Sequence, residues 1–263
     1  MPFRSRLLSV ALLGASIVAM IPGASRAASD IGIVVLHGKQ GSSGDRTTGP
    51  ILQALRSAGY TIEAPTMCWS GSRMYDLAWP DCLREIDTAV AALRAAGARR
   101  IVVAGMSQGG NAAISYGAQH PELAGVIAMA PAGQPRQMVN APSLAQSIAT
   151  ARQMVGGGQG GQRAAFVDTN NGKTFTVTTT ASIYLSIFEP GGPADFPMML
   201  PRLREPVIWI AGTDDPTQRN AAGLYSQLPA NRLNRFVPVS SGHLQTPAAA
   251  AGPVLEWLAT LPP

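Results

Sequence analysis

Ile101-Val-Val-Ala-Gly105-Met-Ser107-Gln-Gly109-Gly110-Asn111-Ala-Ala-Ile114 is the stretch from which the rest of the chain can be read. A β-branched run stops at a glycine, a serine stands among further glycines, and a helix-favouring segment follows at once. This order predicts a strand, a tight turn and a helix that together expose a nucleophile. A serine hydroxyl reacts well only when it projects into a cleft beside a base. The turn that lifts it brings the backbone so close to itself that side chains at 105 and 109 would collide. A helix N-terminus just beyond the serine leaves backbone N–H groups free to receive a developing negative charge.

Strand and helix signals alternate on both sides of this stretch. Residues 31–36 form a short apolar run of the kind buried on both faces of a parallel sheet. The run ends in His37-Gly38-Lys39-Gln40-Gly41, a loop placed where open α/β sheets bind ligands. A helix is expected over 50–58, a strand over 60–64, and a helix capped by Asp81 and running to Ala96. The helix after Ser107 is expected to reach Gln119, with a strand over 125–130 after it. Alternation lapses over residues 131–204, where a helix (141–155), a glycine-rich tether (156–161) and a hairpin turning at Asn171-Gly172 are expected. This insertion is either a small cap over the strand ends or a surface decoration. A strand at 206–211, a helix to Leu228, a strand at 234–239 and a final helix over 248–261 complete the pattern.

Composition narrows the functional classes. The 263 residues fit one α/β domain with decorations. Arg4 and Arg6, an apolar run over 7–21 and a small-residue segment ending Arg26-Ala27-Ala28 have the order of a secretory signal. Cleavage is expected near Ala27, giving an exported protein, periplasmic or secreted, with residues 28–263 as its single domain; an uncleaved anchor is the alternative. The apolar run falls short of the about 20 residues of a membrane span. Three of the 20 lysines and arginines lie in this leader, leaving 17 against 15 acidic residues, so the remaining chain is nearly neutral and nucleic acid is not an expected partner. Cys68 and Cys82 are the two cysteines and, in an exported chain, are expected to form a disulfide. Trp69 and Trp79 beside them form either a satellite core under a long loop or a wall of the substrate cleft.

Three chemical features fall at three expected strand ends: Ser107, the acidic pair Asp214 and Asp215, and His243. An imidazole can take the serine proton, and a carboxylate can fix the imidazole's tautomer. There is no His-x-x-x-His spacing or phosphate loop, and the first strand lacks the glycine spacing of a dinucleotide site, so neither metal nor cofactor is expected.

From about Ile31 to Leu261 the chain resembles an α/β-hydrolase, most like the serine esterases and lipases. The likeness is carried by Leu36-His37-Gly38, Gly105-Met-Ser107-Gln-Gly109-Gly110, Gly212-Thr-Asp-Asp215-Pro216 and Ser241-Gly242-His243. It implies a mostly parallel central sheet with helices on both faces and a helix-plus-hairpin cap. It also implies Ser107 as nucleophile, His243 as base, and Asp215 as acid with Asp214 in reserve. The oxyanion donors it implies are the backbone N–H groups of Gln108 and Lys39, with Gln40 or a side chain of the same loop as the alternative to Lys39; the Lys39 side chain itself is expected to face solvent. A small-molecule or lipid ester is then the expected substrate. Acyl transfer or thioester hydrolysis on the same residues, and noncatalytic binding, are the alternatives. His37 is expected to shape its loop and His120 to meet the last carbonyls of its helix. Met106 and Gln108 are expected to pack or bond locally.

Overall fold

The computed structural model describes residues 30–262, so the expected signal segment lies outside the described residues. In chain order the elements are β1 (Ile31–Leu36), α1 (Gly49–Ser57), β2 (Thr61–Glu63), α2 (Trp79–Ala95), β3 (Arg100–Met106), α3 (Gln108–Gly117) and β4 (Gly125–Met129). The insertion supplies α4 (Pro135–Met138), α5 (Pro142–Gly156), β5 (Arg163–Asn170), β6 (Lys173–Thr180) and α6 (Ala181–Phe188). After it come β7 (Val207–Gly212), α7 (Ala221–Tyr225), β8 (Arg235–Val239), α8 (Thr246–Ala249) and α9 (Ala251–Leu258).

Six strands pair in the order β2-β1-β3-β4-β7-β8, every pairing parallel. Alternate side chains feed two cores, as the pleat requires. Val34, Leu36, Val103, Trp209 and Ala211 enter the core shared with α2, α3 and the insertion. Ile33, Val35, Val102, Ala104, Ile208 and Ile210 pack with α1 and α9 on the opposite face. Both faces of the central strands are therefore covered, which is why their sequences read as continuous apolar runs. All residues of α3 are buried, since it lies between the sheet and the insertion.

Helix α2 begins at Trp79 rather than after Asp81. Pro80 in the first turn supplies a helical φ at the point where a free N–H is not needed, and Asp81 sits inside that turn instead of capping it. The C-terminal helix is divided into α8 and α9. In the insertion, Asn171 and Gly172 form the two-residue turn of the β5–β6 hairpin with φ of 49° and 75°, the left-handed values such a turn demands. No helix among the described residues is long and apolar enough to cross a membrane.

Cys68 and Cys82 are joined, with Cα atoms 5.7 Å apart. Trp69 and Trp79 are fully buried beside the bridge with ring centroids 5.6 Å apart, and the Trp69 indole N–H donates to the His37 carbonyl at 2.9 Å. They take neither expected role as stated: both belong to the main core shared with α2, α3 and the insertion rather than to a satellite one, and neither borders the cavities at Ser107. Separation of the cysteines by 14 positions makes the closed loop worth about 3 kcal/mol in the unfolded chain. Replacing both with serine is expected to lower the unfolding free energy by about that amount in a urea titration, and an unchanged midpoint would count against it.

Candidate active site

Ser107 stands between β3 and α3 with φ 56° and ψ −117°, a conformation foreign to ordinary L-residues. Its N–H donates to Met129 O at 3.0 Å, and its carbonyl accepts from Asn111 N at 3.0 Å and Ala132 N at 3.1 Å, so the strained peptide is held from both sides. A Cβ at Gly105 would be driven into the Gly109 carbonyl, and one at Gly109 into the carbonyls of Leu36 and His37. The collisions expected at 105 and 109 are thus real, and the second one packs the turn against the end of β1.

His243 is the first residue of a short 3-10 turn (His243–Gln245) after β8. Its Nε2 lies 2.9 Å from Ser107 Oγ and its Nδ1 lies 2.5 Å from Asp215 Oδ2. Asp215 is only 3% exposed, and its other oxygen accepts from Thr217 N at 2.9 Å and Thr217 Oγ1 at 2.8 Å. A carboxylate accepting at Nδ1 places the ring proton there and leaves Nε2 free to accept from the serine hydroxyl. Asp214 points to solvent, and its N–H donates to Ser241 O at 3.1 Å, stitching the acid loop to the histidine loop. The structure therefore brings Asp215, and not the reserve Asp214, to the histidine.

The backbone N–H groups of Lys39 and Gln108 meet no acceptor among the described residues, and both residues border the cleft at Ser107. Gln40 follows with φ 59° and its N–H bonded to Trp69 O at 2.9 Å. The Lys39 side chain does not face solvent as expected. It is 7% exposed, with Nζ 2.7 Å from Asp168 Oδ1, 3.0 Å from Thr169 O and 5.4 Å from the Phe188 ring centroid. The second Asp168 oxygen accepts from Tyr75 OH at 2.9 Å. Burial, then the neighbouring carboxylate, push the Tyr75 hydroxyl well above its ordinary value and keep it a donor. Asn170 Nδ2 donates to Lys39 O at 3.2 Å and to Gln40 Oε1 at 2.9 Å. The glycine loop, the disulfide loop and the hairpin meet at one buried carboxylate.

Lys39, Ser107, Asn170, Asn171 and His243 border two adjoining cavities of about 480 and 470 Å³. The hairpin tip thus overhangs the serine, which places the insertion over the strand ends. Sequence reasoning missed Asp168 and Thr217. Thr217, two positions past an aspartate, carried the usual signal of a side chain closing on its own backbone turn. Asp168 offered only a lone acid in a threonine-rich hairpin.

The other histidines lie apart. His37 is buried, its Nε2 accepts from Met67 N at 3.0 Å, and its Nδ1 lies 2.8 Å from Gly38 O, so it shapes the loop as a neutral ring. His120 does not reach the helix carbonyls with its ring. It stacks on Tyr116 at 3.9 Å between centroids and lies 3.1 Å from Glu122 Oε1. Met106 packs in the core, whereas the Gln108 Nε2 makes no local bond. Among the described residues no cluster of three or more His, Cys, Asp or Glu could hold a metal.

Residues 33–252 match the model of the alpha/beta hydrolase family. The chain belongs to that family. A comparison with curated proteins finds no match. Among solved structures, the family member is similar to one from work on the metagenome-derived lipolytic enzymes LipS and LipT (TM-score 0.63, 22% identity, covering 89% of this chain and 94% of that one). It is similar also to a monoacylglycerol lipase of Paleococcus ferrophilus (0.64, 19%, covering 88% and 94%) and to Est1E of Butyrivibrio proteoclasticus with bound ferulic acid (0.60, 16%, covering 88% and 90%). At these identities the likeness is one of fold.

Asp168→Ala strands a buried ammonium and is expected to cost about 3–5 kcal/mol, whereas Lys39→Met combined with Asp168→Leu recovers much of it. Equal losses in the single and double variants by denaturant titration would contradict this. Burial holds the His37 pKa below its ordinary value, so the unfolded chain binds the extra proton first and stability falls as pH drops below about 6.5. His37→Gln is expected to flatten that part of the stability profile. A slope identical to that of the unaltered protein would contradict the assignment.

Proposed function

We propose that this alpha/beta hydrolase is an exported serine ester hydrolase, with Ser107 as nucleophile, His243 as base and Asp215 as acid. The observation that carries the reading is the unbroken chain of contacts from Ser107 Oγ through the imidazole to a buried carboxylate, at the floor of an open cleft. The lipolytic and esterase names among its structural neighbours agree with it, as does the disulfide with export.

In this mechanism Oγ attacks the ester carbonyl as its proton passes to His243 Nε2. The Lys39 and Gln108 N–H groups receive the oxyanion, and the imidazolium, steadied by Asp215, protonates the departing alcohol. Water activated by the same ring then breaks the acyl–Oγ bond and restores the serine. Thr217 orients the acid, since it occupies the oxygen that does not face the histidine.

Ser107→Ala is expected to abolish hydrolysis of p-nitrophenyl butyrate and labelling by a fluorophosphonate while leaving the melting transition in place. Asp215→Asn is expected to lower kcat by about 10⁴-fold, while Asp214→Asn leaves it near the unaltered value. Full activity in Ser107→Ala, or equal effects at 214 and 215, would overturn the assignments.

A further inference from the structure

The cavity on the α4 side of the serine is bordered by Gln108 and Gln134, which are 2% and 6% exposed. Gln108 follows the serine in the chain. Gln134 precedes α4 without capping it through its side chain. Neither carboxamide makes a side-chain hydrogen bond among the described residues, and the Gln108 Nε2 is fully enclosed without a partner. This is costly, because a buried amide that has left water gains nothing back until it finds another polar group. Of the two carboxamides only the Gln108 nitrogen is enclosed; its oxygen and the Gln134 amide, neither hydrogen-bonded through the side chain, are the polar groups that border the cleft beside the proposed nucleophile and are free to meet a ligand.

The chemistry of these groups limits what that ligand can be. A carboxamide donates from nitrogen and accepts at oxygen, so a pair of them suits a neutral group able to do either, such as a hydroxyl or another amide. The charged side chains bordering the same cavity are already engaged: Lys39 with Asp168, and Asp215 with Thr217 and His243. No free charge there would favour a carboxylate or an ammonium. The backbone also makes room for the Gln108 amide, because a Cβ at Gly133, whose φ is 81°, would strike the Gln108 Oε1.

We infer that Gln108 and Gln134 form a subsite for a neutral hydroxyl- or amide-bearing substituent close to the scissile bond. The substrates would then be polar esters rather than plain aliphatic ones. The inference rests on the proposed esterase reading for the position of the bond, and on the two unpartnered amides for the substituent. A site built to bond a hydroxyl disfavours the isostere lacking it, since its polar groups then lose water without gaining a partner.

Binding to the Ser107→Ala protein, measured by calorimetry, tests the subsite without requiring turnover. Methyl 3-hydroxybutyrate is compared with methyl 3-methylbutanoate, and 2-hydroxyethyl butyrate with propyl butyrate, so that the hydroxyl is offered on either side of the carbonyl. In at least one pair the hydroxylated ester is expected to bind about tenfold tighter. Gln134→Leu and Gln108→Leu in the same background are expected to bring that ratio towards one. Equal binding within both pairs overturns the subsite, as does a preference that survives both substitutions. Should either variant fail to fold by its melting curve, the ratio in Ser107→Ala alone decides. Failure of the esterase reading appears separately, as absence of turnover of all four esters by the unaltered protein.

Discussion

The close backbone contact between the end of β3 and the start of α3 is the constraint on which this molecule depends. Gly105 must admit the Gly109 carbonyl, and Gly109 must admit the carbonyls that end β1. Only with both approaches satisfied can Ser107 hold a positive φ and project away from the sheet. One pair of absent side chains therefore fixes the serine relative to two adjacent strands. The acid and histidine loops, which follow β7 and β8, reach the same rim because all six strands run in one direction.

Around this fixed point the insertion adds a second level of order. Asp168 gathers the Lys39 ammonium and the Tyr75 hydroxyl, and Asn170 holds the carbonyl of Lys39. With its side chain drawn beneath the hairpin and its carbonyl occupied, Lys39 has its N–H left over at the cleft. The setting of Lys39 in its loop is thus fixed by residues from two remote segments, the hairpin and the disulfide loop, rather than by the glycine loop alone.

What could be read from sequence divides along physical lines. Apolar runs such as 31–36 and 101–104 are buried on two faces, so composition alone reveals them. The Asn171-Gly172 turn was legible because few other residue pairs tolerate its dihedral angles. The meeting of Ser107, Asp215 and His243 at one rim was legible because each ends a strand in a recurring local setting. The orientation of Lys39 was not, since a lysine in a glycine loop looks solvent-facing until a carboxylate elsewhere claims it. Nor could sequence choose between core and cleft for Trp69 and Trp79, because aromatic side chains suit both. The start of α2 was misplaced because Asp81 resembles a cap, while Pro80 had already set the first turn.

The Lys39–Asp168 pair joins positions separated by 129 residues, which bears on the order of assembly. Bringing such distant groups together costs chain entropy that local contacts cannot repay beforehand. The β5–β6 hairpin shares a core with the parallel sheet, and the roof of the cavity closes only when the two have docked. Because β7 and β8 follow the insertion in the chain, the strands that carry the Asp215 and His243 loops are synthesised after the hairpin, and the space around a ligand is enclosed only once the last strand has joined the sheet.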